Sequence, residues 1–365
     1  MKAIAQFLRY YLRPRPDGVT EVETGYRRDG ERLPATLYRP AHGTGPLPGW
    51  VLLHGLTVPG REHTSLKRFA RAVAASGAAV LVPDIPEWRA LRVAPAITVD
   101  TIRAAILALA ERDDTIPGRI GVIGFSFGAT QALVAAADPR LKGHLAAVAA
   151  WGGYCDVFRL FRFGYTGEHE LDGRSYRTDP DPYGRWIMGA NYLTAIPGFE
   201  DNGRTAAALG RLAEAAGKAG LHAWDGYFDP LKAELRAALP AEQRPVFDLF
   251  APPAGQPPHD PERAREVAEA LAAAALRVDP LLDPGPALSR LDCRVLLAHG
   301  RDDRVVPFTE TIRLGRALDA RRLAACTITG LFEHSGGTSR ELGPFGVAAE
   351  AARFVALLNR ILHMI

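Results

Sequence analysis

The sequence predicts an α/β protein: a mostly parallel central sheet flanked by helices, interrupted once by a helical insertion. Three observations carry this. Short apolar runs alternate with amphipathic stretches from residue 35 to about residue 153. Those runs lack a polar–apolar alternation, as expected of strands buried on both faces of a parallel sheet. The rhythm then stops at Gly152-Gly153 and resumes only beyond Pro284.

The elements follow in order. Residues 4–12 place Ile4, Phe7, Leu8, Tyr11 and Leu12 on one helical face. Pro14 and Pro16 end that helix. It reads as an arm packed on the body rather than a membrane-surface helix. Strands are expected at Ala35–Arg39, Trp50–Leu53, Ala78–Val82, Ile120–Ile123 and Leu145–Trp151. Between them, Thr64–Ala75, Thr98–Arg112 and Phe127–Ala137 carry apolar residues at helical spacing. From Tyr154 to about Pro284 the patterns are helical: Tyr183–Tyr192, Thr205–Lys218, Pro230–Ala238 and Pro261–Val278. That stretch carries half of the chain's aromatic residues, Phe158, Phe161, Phe163, Tyr165 and Trp186 among them. Strand Arg294–Ala298, helix Thr309–Ala320, strand Ala324–Ile328 and helix Val347–Leu362 complete the chain. The expected division is an N-terminal helical arm over 1–19, one α/β body over 20–153 and 285–365, and a helical insertion over 154–284.

Composition narrows the classes. The chain has 365 residues, 47% of them hydrophobic and 23% charged. These are globular values. No apolar run reaches the ~18–20 residues of a membrane span. Net charge is +3, too balanced for a nucleic-acid footprint. Cys155, Cys293 and Cys326 are far apart and odd in number, so no disulfide framework or zinc pattern is expected. They fit a reducing compartment. The first residues lack the features of a secretory signal, so a cytoplasmic location is expected. Oligomeric state is left open, a homo-oligomer included.

The chemical signal is Gly124-Phe125-Ser126-Phe127-Gly128, a G-x-S-x-G motif. It follows an apolar strand and opens a helix. A serine on that tight turn projects its hydroxyl above the sheet, and the glycines let neighbouring chain pass close by. A serine hydroxyl needs a base and a carboxylate to orient the base. His334 follows the last expected strand and precedes the last helix, on the same sheet edge as Ser126. Asp302 and Asp303 both follow strand Arg294–Ala298. Asp303 is preferred, three residues after Gly300 and four before Pro307. The three residues run Ser…Asp…His along the chain.

In these loops and in their order the sequence resembles the α/β-hydrolase superfamily, in its serine-hydrolase, esterase-like branch with a helical cap. The resemblance covers roughly residues 20–153 and 285–365. It implies Ser126 as nucleophile, Asp303 as acid and His334 as base. It implies an oxyanion hole from the Phe127 amide and an amide of the loop His54-Gly55-Leu56-Thr57, with Leu56 the best match and Thr57 second. His54 itself reads as a structural imidazole, and His63 is left unassigned. Haloalkane dehalogenases and epoxide hydrolases carry Asp at the elbow, and dienelactone hydrolases carry Cys; the serine here sets those relatives apart. The insertion at 154–284 stands where the family places a cap. The implied activity is hydrolysis of a small-molecule carboxylic ester through an acyl-serine, with no cofactor and no metal. Amide or thioester hydrolysis and acyl transfer share that acyl-serine step. A non-catalytic binding protein on the same scaffold is the contrasting class.

Overall fold

The computed structural model describes residues 2–13, 16–42, 45–331 and 344–365. The first half of the body comprises α1 (Lys2–Leu12), β1 (Val19–Arg28), β2 (Glu31–Pro40), β3 (Leu47–Leu53), α2 (Thr64–Ala75), β4 (Ala79–Pro83), α3 (Pro86–Arg89), α4 (Pro95–Ala110), β5 (Thr115–Phe125), α5 (Phe127–Ala136) and β6 (Leu145–Trp151). An insert follows with α6 (Val157–Thr166), β7 (Glu168–Leu171), β8 (Arg174–Arg177), α7 (Pro182–Tyr192), α8 (Gly203–Ala219), α9 (Asp229–Ala238), α10 (Arg244–Phe250) and α11 (Pro261–Val278). The body resumes with α12 (Gly285–Leu288), β9 (Arg294–Gly300), α13 (Phe308–Ala317), β10 (Leu323–Thr329) and α14 (Pro344–Leu362).

The sheet has 8 strands in the order β1-β2-β4-β3-β5-β6-β9-β10. β1 pairs antiparallel with β2, and β2 with β4; the other neighbours are parallel. All of β4 is buried, and so are most residues of β3, β6 and β9. This two-sided burial is why those strands read as plain apolar runs. Because the central strands are parallel, β3, β5, β6 and β9 all end on one edge. In open α/β sheets that edge is where ligands bind.

Two strand features differ from the sequence reading. β1 was not expected: most of its residues are exposed or half-buried, so VTEVETGYRR carries no core-facing pattern. The hairpin β7–β8 interrupts the helical insert with two four-residue strands, mostly exposed. α4 starts at Pro95, three residues earlier than expected.

α1 packs on α2 and α14. Phe7 is buried, and the rings of Phe7 and Tyr11 meet Phe69 of α2 edge-on at 5.4 and 6.5 Å. Arg68 lies over the Tyr11 ring, 4.5 Å from its centroid. The insert is fastened at both ends. At its entry the buried Glu310 carboxylate of α13 accepts the Cys155 and Asp156 amides at 3.0 and 2.8 Å and the Arg159 Nε at 2.6 Å. At its exit the Tyr154 hydroxyl donates to the Leu282 carbonyl at 3.0 Å. No helix among the described residues is long and apolar enough to cross a membrane.

Candidate active site

Ser126 occupies the turn between β5 and α5. Its backbone has φ 56° and ψ −128°, a conformation that a side-chain-bearing residue adopts only under constraint. The constraint is visible. The Ser126 amide still donates to the Trp151 carbonyl of β6 at 2.8 Å, and its carbonyl already accepts from Ala129 at 2.9 Å. The chain therefore leaves a strand ladder and enters a helix within one residue. The flanking glycines make this passable. A Cβ on Gly124 would lie 2.4 Å from the Gly128 carbonyl oxygen, and one on Gly128 would lie 2.3 Å from the His54 carbonyl oxygen.

That second contact brings the loop after β3 against the elbow. A Cβ built on Gly55 would stand 3.6 Å from Ser126 Oγ. Leu56, Thr57, Ser126 and Phe127 line one cavity. Phe127 opens α5, so its amide has no helical acceptor. Neither it nor the Leu56 amide donates to another backbone or side-chain group among the described residues. One free N–H at a helix N-terminus and one from the loop after β3, lining the same cavity as the serine, suit a developing oxyanion. His54 holds the loop: its Nδ1 donates to the Gly55 carbonyl at 2.6 Å, and its ring meets Trp88 edge-on at 5.5 Å. Burial pushes its pKa down to about 4, so the imidazole is neutral.

Asp303 follows β9 and is buried. Its Oδ1 accepts the Val305 and Val306 amides at 2.8 and 2.9 Å. Its Oδ2 lies 3.3 Å from Nε2 of His299, which is also buried. That nitrogen donates to the Val306 carbonyl at 2.8 Å, which fixes the proton on Nε2. Nδ1 of His299 meets the Thr311 hydroxyl at 2.6 Å, and that hydroxyl reaches the Gly153 carbonyl at 3.2 Å. Sequence reasoning missed His299, although it stands in the same Ala-His-Gly-Arg-Asp-Asp stretch. Asp302, the other candidate, is half-buried. The expected base, His334, lies outside the described residues. Leu331, close before it in sequence, lines the cavity with Ser126.

The cavity has a volume of about 820 Å³. The elbow, the loop after β3, Tyr11 and His63 form one side. Burial lowers the His63 pKa. The insert forms the other side with Phe161, Tyr165, Tyr183, Ile187, Met188 and Leu271, among others. Only some of the insert's aromatics therefore reach it. Phe163, Trp186 and Phe228 are fully buried without lining it, while Phe158 and Tyr227 are exposed. Sequence reasoning also missed the polar groups on the insert side, Asp181 and Arg185, both buried. No group of three or more His, Cys, Asp or Glu among the described residues is arranged to hold a metal ion.

A sequence model of the dienelactone hydrolase family matches residues 33–160, about a third of the chain. This is the group the sequence reading set apart for its cysteine nucleophile. The match covers the elbow, where this chain carries Ser126, and stops short of Asp303. No functionally curated sequence matches the chain. Among solved structures, the esterase Est22 superposes with a TM-score of 0.51 at 14% identity, over 99% of this chain and 85% of that one. Brefeldin A esterase, a bacterial homologue of human hormone-sensitive lipase, gives 0.49 at 19% identity, over 99% and 82%. Est1E from Butyrivibrio proteoclasticus, solved with ferulic acid bound, gives 0.49 at 13% identity, over 93% and 99%. The topology and the likeness to Est22 establish the architecture: the chain has the α/β-hydrolase fold.

Proposed function

We propose that the protein is a serine hydrolase that cleaves a carboxylic ester through an acyl-serine intermediate. The observation that carries this reading is Ser126 in its constrained turn, lining a cavity together with two uncommitted amides. Ser126 Oγ attacks the ester carbonyl while His334 takes its proton. The Leu56 and Phe127 amides receive the oxyanion. Asp303 orients His334 and stabilises its charged form. Collapse of the tetrahedral intermediate breaks the acyl–oxygen bond, and His334 returns the proton to the leaving alkoxide. Water, activated by the same histidine, then frees the acid and restores Ser126. Residues 154–284 act as a cap that excludes bulk water and shapes the pocket.

The test is a p-nitrophenyl ester series of rising acyl length, run on the wild type and Ser126→Ala together. The expected result is a loss of about 10⁴-fold or more in kcat for the variant. A variant that keeps the wild-type rate overturns the assignment.

A further inference from the structure

The first turn of α7 buries two opposite charges that do not pair. Asp181 is 6% exposed and Arg185 is 9% exposed, and both line the cavity that Ser126 lines. Asp181 is the N-cap of α7 and Arg185 lies in its first turn, so both stand at the same end of the helix. Each is half-satisfied. Asp181 Oδ1 accepts the Tyr183 amide at 2.9 Å, and its Oδ2 has no partner among the described residues. Arg185 donates from Nε to the Phe250 carbonyl at 2.7 Å and from Nη1 to the Gly164 carbonyl at 3.3 Å; its Nη2 has no partner among them either. Two hydroxyls lie in the same wall. Those of Tyr165 and Tyr183 are buried and unpartnered. A Cβ on Gly217 would sit 3.3 Å from the Tyr183 hydroxyl and 2.7 Å from Val58 Cγ2. That hydroxyl is therefore wedged between α8 and the loop that also carries Leu56.

A buried polar atom without a partner costs about 1–3 kcal/mol, more when charged. The Tyr165 and Tyr183 hydroxyls are such atoms. Asp181 Oδ2 and Arg185 Nη2 have no protein partner among the described residues and keep contact with solvent, so a ligand that fills the cavity must supply a partner for each. The chemistry of the ligand follows from the signs. An aliphatic chain would leave both charged groups unpaired. A carboxylate would satisfy Arg185 Nη2 but face Asp181, and an ammonium group would do the reverse. A neutral group that offers one acceptor and one donor meets both without burying net charge.

We propose that Asp181 and Arg185, in a wall shared with Tyr165 and Tyr183, form a subsite for an amide group carried by the substrate. The amide carbonyl accepts from Arg185 Nη2, and the amide N–H donates to Asp181 Oδ2. The substrate of the proposed hydrolase is then an ester that also bears an amide. This rests on the reading of Ser126 as nucleophile only in calling that ligand a substrate.

Binding to the full-length Ser126→Ala protein tests the subsite apart from turnover. Three ligands of similar size are titrated calorimetrically: N-butylacetamide, 2-heptanone, which lacks the N–H, and hexanoate, which is charged. N-butylacetamide should bind at least fivefold more tightly than either. A smaller ratio, or tighter binding of the ketone or the carboxylate, overturns the proposal. Asp181→Asn keeps a helix-capping residue, yet with its oxygen held by the Tyr183 amide it offers a donor to the cavity. It should bring the amide-to-ketone ratio below twofold, and an unchanged ratio overturns the assignment of Asp181. If that variant does not fold, Asp181→Ser replaces it, which keeps a helix-capping oxygen but removes the carboxylate, with a ratio below twofold expected and an unchanged one contradicting the site. Amide-selective binding alongside full turnover by Ser126→Ala would remove the hydrolytic reading and leave the subsite. Loss of turnover without amide selectivity would do the opposite.

Discussion

Two turns meet beside the cavity, and each buries an aspartate in a different way. In the turn after β9, Asp303 is satisfied by its own surroundings: two backbone amides hold one oxygen, and His299 stands 3.3 Å from the other. In the first turn of α7, Asp181 spends one oxygen on its helix cap and keeps the other. The turns are stitched together, with the Asp181 amide on the Arg304 carbonyl and Arg304 Nε on the Asp179 carbonyl, both at 2.7 Å. The Arg304 guanidinium also lies 3.9 Å from the Trp224 ring centroid. The difference separates two uses of a buried carboxylate. Asp303 is arranged before any ligand arrives, which suits a group that must hold a catalytic partner in place. Asp181 leaves a polar atom for something to complete.

The sharpest way to break this comparison is to neutralise the satisfied side. Asp303→Asn should lower kcat/KM by about 10³–10⁴-fold, as loss of a triad carboxylate does. Asp302→Asn should change it by less than about threefold. A larger effect in Asp302→Asn than in Asp303→Asn, measured on one p-nitrophenyl ester, would move the acid role to Asp302.

A smaller effect is expected from the elbow's packing. Gly128→Ala places a methyl 2.3 Å from the His54 carbonyl oxygen, which is backbone and cannot swing away. The loop that carries Leu56 must shift. Such a shift should cost about 10²-fold in kcat and about 1–3 kcal/mol of stability from overpacking. Calorimetry and steady-state kinetics together check this. A fully active, fully stable alanine variant would show that the loop does not depend on that contact.

The mildest expectation is a pH dependence of stability. Burial lowers the pKa of His54 and of His169 to about 4 in the folded chain. An unfolded histidine titrates near 6.5. Between these values the unfolded chain binds more protons, so stability falls as pH drops from about 6.5 to about 4, and rises again with pH. The melting temperature recorded across that range should decline on the acid side. A flat profile would contradict the neutral, buried imidazoles.

Much of the body was legible because its chemistry is written locally. Leu52, Val80, Val122 and Val148 are fully buried, so their strands read as apolar runs bounded by breakers. The elbow was legible because only glycines fit at Gly124 and Gly128, and glycine spacing survives in sequence. β1 and the β7–β8 hairpin were not legible, since their exposed faces leave no periodic apolar signal. The buried charges of α7 were hidden for another reason. Asp181 and Arg185 look like an ordinary helix cap and a solvated arginine until the insert folds around them. A faint signal was present in Asp-Pro followed four residues after the aspartate by arginine, with two tyrosines nearby. His299 escaped because its role depends on contacts with Asp303, Val306 and Thr311 that only the folded turn creates.

The central claim is that Ser126 is a nucleophile poised by its turn. Its most direct test is to treat the full-length protein with a fluorophosphonate ester and map the adduct by peptide mass spectrometry. A single phosphonylated site at Ser126, absent in Ser126→Ala and lost together with ester turnover, is the predicted result. An unlabelled Ser126 in a folded protein that still hydrolyses esters would contradict it.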